Sequence, residues 1–221
     1  EALVRGKHLS MGFVYPDKFI PIAEETKQII QIGEFVLEEA IKTVSYWKSL
    51  HLCAGRIAIN VSGVQLEDGN FTQILQKYIK RYNVDSNNIE IEVTESAIMK
   101  NPHNWIKILN EIAELGISIS MDDFGTGYSS LAYLKKFPVS LLKIDKSFVD
   151  DLPNDHDDAV IVSTIISMAQ SLGIKTIAEG VETQDQKDYL KSANCDFMQG
   201  YLLSKPMSKT DTQNWLKMIK Q

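Results

Sequence analysis

Ile117-Ser118-Ile119-Ser120-Met121-Asp122 is the stretch of sequence that decides the fold. Bulky apolar residues alternate in it with small or polar ones, and Ile57-Ala58-Ile59-Asn60-Val61 has the same alternation. Successive side chains of a strand point to opposite faces, so each segment has one bulky and one small or polar face. Parallel strands of an open sheet covered by helices would be apolar on both faces. A closed barrel turns the small or polar face inward, so we predict a barrel.

Strands and helices alternate along the rest of the chain. The predicted strands span residues 56–61, 89–93, 117–122, 140–145, 175–179 and 196–200, with residues 1–5 as a further strand. Apolar residues at helical spacing mark four helices within residues 35–47, 74–79, 106–115 and 161–169. Repeated strand–helix units predict parallel strands joined by right-handed crossovers. The fold class is therefore α/β, a TIM-like (β/α)8 barrel whose first strand we expect upstream of residue 1.

Composition limits the classes of partner. The 221 residues are 44% hydrophobic and 24% charged, which is typical of a soluble globular protein, and the net charge is -6. An acidic chain is a poor partner for polymeric nucleic acid, which requires clustered Lys and Arg, but a cation can bridge it to a small phosphorylated ligand. No apolar run is long enough for membrane insertion by this segment, so we expect a cytoplasmic domain. Cys53 and Cys195 form no CxxC motif and are predicted to be reduced thiols.

Polar residues stand at the carboxyl ends of nearly all predicted strands. They are Asn60, Glu92, Asp122 with Asp123, Lys143 with Asp145, Glu179 and Gln199, and Glu1 lies within the opening strand. The active sites of such barrels lie at this end of the strands, so we expect the side chains to converge on one cavity. Several carboxylates within a few ångströms repel one another, and an outside positive charge must offset that repulsion.

Divalent metal ions are the simplest source of that charge. Oxygen ligands without a Cys or His cluster favour Mg²⁺ or Mn²⁺ over zinc or copper. Adjacent Asp122 and Asp123 cannot both point inward from a regular strand, so we expect the second to enter from the following loop. Together they would bridge two ions roughly 4 Å apart, as in two-metal hydrolytic sites. Lys143 would hold a phosphate oxygen or the attacking water, which indicates metal-assisted phosphodiester hydrolysis.

Eight motifs in order resemble a known family, from Glu1 to about Pro206. They are Glu1-Ala2-Leu3-Val4-Arg5, Phe19-Ile20-Pro21-Ile22-Ala23-Glu24, Asn60-Val61-Ser62, Glu92-Val93-Thr94-Glu95-Ser96, the loop from Asp122 to Leu131, Leu142-Lys143-Ile144-Asp145, Ala178-Glu179-Gly180-Val181-Glu182 and Gln199-Gly200-Tyr201. With these motifs the chain resembles the EAL-domain phosphodiesterases that cleave cyclic di-GMP to linear pGpG. The resemblance implies one such phosphodiesterase domain over residues 1–221, incomplete at its N-terminus.

The resemblance also implies roles for individual residues. The first of two Mg²⁺ or Mn²⁺ ions would be held by Glu1, Asn60, Glu92 and Asp122. The second would be held by Asp122 and Asp123, with Glu179 at that ion or acting as base. Lys143 would orient the nucleophilic water, and Glu95 would brace the loop after Asp123. The substrate side would be formed by Leu3, Arg5, Glu182, Gln199 and Tyr201, although Tyr201 suits a core position equally well.

The chain departs from the family pattern at its beginning. Gly6 follows Arg5 where the family usually has Trp, which puts the loop over one guanine in question. The family's first strand, with its Gln-Pro-Ile segment, does not occur in the chain. The family implies a homodimer covalently linked to an upstream regulatory domain, and it is compatible with a membrane anchor elsewhere in the full-length protein. The alternatives are a catalytically silent EAL-like receptor for cyclic di-GMP and another metal-dependent barrel hydrolase.

Several side chains have purely structural interpretations. Trp47, Trp105, Phe35 and Phe148 are predicted to pack helices against the barrel, and Glu24-Glu25 is predicted to be an exposed helix face. Ser129 or Ser130 is a candidate cap for the helix after the Gly-rich loop.

Overall fold

The structure, a computed structural model, describes residues 1–8, 10, 12–52, 55–127 and 131–219. The strands are β1 Gly6–His8, β2 Gly12–Val14, β3 Ile57–Asn60, β4 Ile89–Thr94, β5 Ser118–Phe124, β6 Leu141–Ile144, β7 Lys175–Ala178 and β8 Phe197–Met198. The helices are α1 Pro16–Glu25, α2 Ile29–Ser49, α3 Gly63–Glu67, α4 Phe71–Tyr82, α5 Glu95–Lys100, α6 Pro102–Glu114, α7 Leu131–Leu134, α8 His156–Leu172, α9 Gln184–Ser192 and α10 Lys209–Ile219. Two compact units are formed, the first by residues 1–92, 111–118 and 208–221 and the second by residues 93–110 and 119–207.

Two parallel strands and a hairpin form the sheet structure of the first unit. β3 pairs with β4, and Asn60 lies opposite Glu92 at the end of the ladder. The predicted opening strand is wrong, because within residues 1–5 only Ala2 bridges to Ile59. The antiparallel hairpin of β1 and β2 was not predicted. Its strands are only three residues long, too short for a clear alternation of apolar and polar residues.

Four parallel strands form the sheet of the second unit, paired in chain order from β5 to β8. Helix α8 lies between β6 and β7 in sequence, and Gly173 ends it with a left-handed φ of 71°. The amide of Gly173 donates to the carbonyls of Ala169 and Gln170, a helix ending that favours glycine. All six strands predicted between residues 56 and 200 are confirmed, with bounds that differ by two residues at most.

The predicted packing residues have mixed outcomes. Trp47 and Trp105 are buried, as predicted. Phe35 is wrong as a packing residue, because it is 64% exposed on α2. Cys53 and the candidate caps Ser129 and Ser130 lie outside the described residues. Among the helices that the structure describes, none has both the length and the apolar character needed to cross a bilayer.

Candidate active site

A helix-capping residue lies at or just beyond the end of each of four strands near predicted site residues. The side chain of each accepts a hydrogen bond from a backbone amide at the start of the next helix or 3₁₀ turn: Ser62 from Val64, Thr94 from Ala97, Asp145 from Ser147 and Thr183 from Gln186. Such caps satisfy amides that otherwise have no partner in the first turn. Because the cap comes two to four residues after the site residue, the local sequence sets where each strand ends.

The first unit brings Glu1, Asn60 and Glu92 together. The Asn60 Nδ2 donates to Glu1 Oε1 at 2.6 Å. Asn60 and Glu92 are partners in the parallel ladder, so their side chains point to the same face of the sheet. Glu92 is buried there. Two carboxylates and one amide of the predicted set therefore lie side by side at the ends of β3 and β4.

Buried polar contacts support the end of β3. Ser62 Oγ donates to Glu24 Oε1 at 2.5 Å, and the buried Gln65 completes a capping box with Ser62. Gln65 lies against Gly33 of α2, where a Cβ atom would come within 1.8 Å of its Nε2. The interpretation of Glu24 as part of an exposed helix face is therefore wrong. The Ser62-x-x-Gln65 spacing is a capping-box signature that the sequence analysis overlooked.

Lys143 is the centre of the second unit's polar cluster. Its Nζ lies 3.1 Å from Asp122 Oδ1 and 2.8 Å from Glu179 Oε1. The Lys143 side chain is 2% exposed, so these ion pairs are poorly screened by water. A buried charge requires such partners, and the two carboxylates on neighbouring strands supply them. The predicted convergence of Asp122, Lys143 and Glu179 is therefore present in this unit.

A β-bulge explains how two consecutive carboxylates reach this cluster. Met121 pairs with Leu142 and Phe124 pairs with Ile144, so Asp122 and Asp123 together oppose the single residue Lys143. Asp123 has a left-handed φ of 54°, which Asp and Asn tolerate better than most residues. The prediction that Asp123 enters from the loop is wrong, because β5 continues to Phe124.

Negative charges surround Asp123. Burial raises the pKa of its carboxyl, and the nearby charges of Asp122 and Asp145 raise that pKa further, while Lys143 opposes them. A raised pKa means that folding makes ionisation of Asp123 less favourable than it is in the unfolded chain. At neutral pH the ionised carboxylate therefore lowers the stability of the metal-free fold, and its repulsion decreases as pH falls and the group takes up a proton.

We expect Asp123→Asn to raise the thermal unfolding midpoint of the chain in EDTA at pH 7. The amide removes the repelled charge and still tolerates the left-handed backbone. The advantage over the unmodified chain should shrink as pH falls from the raised pKa of Asp123 towards the ordinary pKa of an aspartate, because below both values its carboxyl is neutral in the folded and the unfolded chain. Thermal unfolding measured at several pH values tests this, and a midpoint for Asp123→Asn below that of the unmodified chain at pH 7 would contradict it.

Glu95 contacts the loop that follows Asp123. Its side chain is buried, and Glu95 Oε2 accepts a hydrogen bond from the Gly125 amide at 2.9 Å. Gly125 has φ of 101°, and a Cβ atom at Gly127 would lie 2.7 Å from Glu95 Oε1. Only glycine permits this backbone course and this close approach. The contact expected for a bracing residue is present, and its coupling to metal binding stays a prediction.

The predicted substrate residues are largely exposed. In the first unit, Leu3 is exposed and the Arg5 guanidinium donates to the carbonyl of Val4. In the second unit, Glu182 is exposed and lies 2.9 Å from Lys146 Nζ. The core position for Tyr201 is wrong, because this residue is 57% exposed.

The main chain around Gln199 connects β8 to the loop after β7. The Gln199 amide donates to the carbonyl of Ala178, and its carbonyl accepts from Val181. Gln199 therefore follows β8 directly beside the segment that carries Glu179. Substrate contact by Gln199, as by the four exposed residues above, stays a prediction.

The donor chemistry of both groups fits hard divalent cations. Asp122 and Glu179 already converge on one positive charge, that of Lys143, and the charge of Asp123 is crowded. Carboxylate and amide oxygens are the ligands that Mg²⁺ and Mn²⁺ prefer. Within the described part of the chain, no group of three or more His, Cys, Asp or Glu has the spacing of a formed metal site.

Comparisons with known proteins agree with this arrangement of motifs. The family model described as the EAL domain matches residues 1–206. The bifunctional diguanylate cyclase/cyclic di-GMP phosphodiesterase MucR of Pseudomonas aeruginosa is 41% identical over 207 residues, which are 94% of this chain and 30% of MucR. The cyclic di-GMP phosphodiesterase NbdA of the same organism is 40% identical, over 98% of this chain and 28% of NbdA. The chain spans less than a third of the length of these two relatives.

Solved structures show the same fold. The MucR phosphodiesterase in complex with c-di-GMP aligns with a TM-score of 0.92 at 40% identity, covering 95% of this chain and 85% of that one. The EAL domain of Mycobacterium smegmatis DcpA aligns with a TM-score of 0.80 at 35% identity, covering 84% of each chain. These matches confirm the predicted fold class, the α/β barrel of TIM type. The chain belongs to the EAL domain family.

Proposed function

We propose that the chain is a metal-dependent phosphodiesterase domain that hydrolyses cyclic di-GMP to linear pGpG. The observation that carries the proposal is the buried Lys143 between Asp122 and Glu179. A cation between two carboxylates at strand ends provides an acid, a base and ligands within one cluster. Relatives named as cyclic di-GMP phosphodiesterases are 36% to 41% identical to this chain.

Two divalent ions, Mg²⁺ or Mn²⁺, are the cofactors in this proposal. One ion would be held by Glu1, Asn60, Glu92 and Asp122, and the other by Asp122 and Asp123 with Glu179. When bound, such ions lower the pKa of coordinated water and stabilise the negative charge that develops on the phosphate. The bulge at Asp122 and Asp123 supports the proposal that Asp122 binds both ions, because β5 then offers two carboxylates at one position of the ladder.

Lys143 and Glu179 have complementary tasks in the reaction. The Lys143 ammonium donates hydrogen bonds to the attacking water or to a phosphate oxygen, and Glu179 takes the proton that the water loses. The water oxygen forms a bond to phosphorus, one ester bond of the ring breaks, and the leaving ribose oxygen takes a proton from solvent water, while the proton on Glu179 is released to solvent. Glu95 holds the loop that follows Asp123 through the Gly125 amide.

The substrate side comprises Leu3, Arg5, Glu182, Gln199 and Tyr201. Exposure supports substrate contact for Leu3 and Tyr201, whose apolar surfaces suit a guanine ring. We also propose that the domain acts in the cytoplasm as a homodimer and is linked to a regulatory domain. The far greater length of MucR and NbdA supports the linked domain.

Turnover of cyclic di-GMP by the purified chain tests the proposal. With Mg²⁺ or Mn²⁺ we expect linear pGpG to accumulate, and EDTA should stop its formation. Asp122→Asn should reduce kcat by at least about 100-fold, because an interaction with an ion and with Lys143 is lost. Asp185→Asn, an exposed acid on α9, is the matched control and should leave kcat unchanged. Product formation is followed by chromatography.

Two outcomes would reject or replace the proposal. A folded chain that binds cyclic di-GMP tightly with metal present, yet yields no pGpG, would make it a silent receptor. A folded chain that does not bind cyclic di-GMP at all would point to a different metal-dependent hydrolase. Calorimetric titration with the nucleotide distinguishes these two results from each other.

A further inference from the structure

Gln186 has a buried side chain whose amide makes four hydrogen bonds to the main chain. It is 3% exposed and occupies the third position of α9. Its Oε1 accepts hydrogen bonds from the backbone amides of Glu182 at 2.7 Å and Thr183 at 2.9 Å. Its Nε2 donates to the carbonyls of Val149 and Asp150, each at 3.0 Å. Four hydrogen bonds to main-chain atoms are the full capacity of a glutamine amide.

These four bonds join the two loops that follow strands β6 and β7, next to the predicted catalytic residues Lys143 and Glu179. Glu182 and Thr183 lie in the loop after β7, shortly after Glu179. Val149 and Asp150 follow the 3₁₀ turn Lys146–Phe148, which comes directly after β6 and its Lys143. An ordinary capping box explains only the bond that Gln186 accepts from the Thr183 amide. The two donor bonds are additional to the cap and link one loop to the other.

Lys146 makes a second connection between the same two loops. Its Nζ lies 2.9 Å from Glu182 Oε1, and its aliphatic stem lies against Gly180. A Cβ atom at Gly180 would come within 2.3 Å of Lys146 Cγ, and Gly180 has φ of 72°. Because Lys146 is exposed, its ion pair is screened by solvent, whereas the bonds of Gln186 are buried. The stronger of the two connections is therefore Gln186.

We infer that Gln186 is a positioning residue of the reaction, which holds Glu179 at its distance from Lys143 by fastening the two loops together. The inference rests on the proposed function, because it assigns a role toward the pair proposed to handle the water. Glu179 Oε1 and Lys143 Nζ are 2.8 Å apart, and both side chains come from strand ends next to these loops. Displacement of one loop by about 1 Å is enough to reduce a rate by about 100-fold.

Gln186→Glu separates the bridge from the cap. A glutamate at this position still accepts from Glu182 and Thr183, and glutamate is a normal capping-box residue. Its second oxygen, however, faces the carbonyls of Val149 and Asp150 and repels them. We expect kcat for cyclic di-GMP to fall by at least about tenfold while KM changes by less than about threefold, because the bridge does not lie among the predicted guanine contacts.

Two further variants make the result decisive. Gln184→Glu places the same change two residues away on an exposed side chain of α9, and its kcat should match that of the unmodified chain. Gln186→Met removes the whole amide without adding charge, so it serves if Gln186→Glu does not fold, and the same fall in kcat is expected. A folded Gln186→Glu or Gln186→Met chain with kcat within about twofold of the unmodified value would overturn the inference.

Amide hydrogen exchange tests the role of Gln186 without relying on turnover, so it separates this inference from the proposed function. In Gln186→Met the amides of Glu182 and Thr183 lose their acceptor, and they should exchange at least about tenfold faster than in the unmodified chain. Unchanged exchange at both amides would show that Gln186 does not hold the loop after β7, and the bridge requires that hold whether or not the chain is active. Absence of turnover in the unmodified chain would instead reject the phosphodiesterase, without bearing on the exchange result.

Discussion

Replacing Lys143 by methionine should reduce turnover of cyclic di-GMP by about 1000-fold at saturating substrate. Methionine matches the length of the lysine stem but lacks the ammonium that contacts Asp122 and Glu179. Loss of a preorganised donor to the developing charge costs about 100- to 1000-fold, and the displaced carboxylates add to that loss. Substrate affinity should change little, because Lys143 is assigned to the water and phosphate and not to the guanine bases.

The same substitution should also weaken the metal-free fold. Removal of one partner from a buried ion pair leaves an uncompensated charge, which costs about 3 kcal/mol or more in the free energy of unfolding. We expect Lys143→Met to unfold at lower urea concentration than the unmodified chain in EDTA, with part of the difference recovered in Mg²⁺. Lys191→Met, an exposed lysine on α9, is the control. A Lys143→Met chain with kcat within about tenfold of the unmodified value would remove this residue from the proposed chemistry.

Gly200→Ala should have the largest effect on stability among the glycine substitutions. A Cβ atom at Gly200 would lie 2.2 Å from the carbonyl oxygen of Val181 and 2.3 Å from its amide nitrogen. Both are backbone atoms, and hydrogen bonds from Val181 to Gln199 and from Leu202 to Val181 hold them in place. The overlap can be relieved only by a shift of the main chain, so we expect the free energy of unfolding to fall by about 3 kcal/mol.

Gly173→Ala is the matched control for that substitution. A Cβ atom at Gly173 meets no heavy atom within 4 Å, so its cost comes only from the left-handed φ of 71°. We expect a loss of about 1 kcal/mol for Gly173→Ala. Urea unfolding of both variants gives the comparison. If the free energy of unfolding fell equally in the two variants, the close approach of Gly200 to Val181 would not account for the cost of Gly200→Ala.

The alternation of bulky and polar residues made the strands and their polar ends predictable. Apolar side chains recur within each strand from β3 to β7, and a polar residue stands at or near the carboxyl end of each strand. Asn60, Glu92, Asp122, Lys143 and Glu179 could therefore be identified without coordinates. The sequence predicts the order of the strands, but it does not predict which of these side chains touch one another. Those contacts depend on the register of the ladder, which is set by residues far apart in sequence.

The errors have physical causes of their own. Periodicity assumes a regular ladder, so it placed Asp123 in a loop instead of in a bulge. Phe35 fits a helical apolar stripe, yet it is exposed on the described surface, because periodicity shows which residues share a face and not what covers that face. Gln186 was overlooked although Thr183-x-x-Gln186 is a capping signature, and its bonds to Val149 and Asp150 depend on tertiary structure.

The extra residue in β5 gives this strand an unusual sensitivity to changes in chain length. Deletion of Asp123 would let Phe124 follow Asp122 in a regular ladder, and the remaining strand would offer one carboxylate opposite Lys143 instead of two. If the proposed function holds, a homologue shortened by this single residue would lose a carboxylate proposed to bind the second ion. One-residue length variation at this position would then be a simple route from a phosphodiesterase to a sensor that binds its nucleotide without cleaving it.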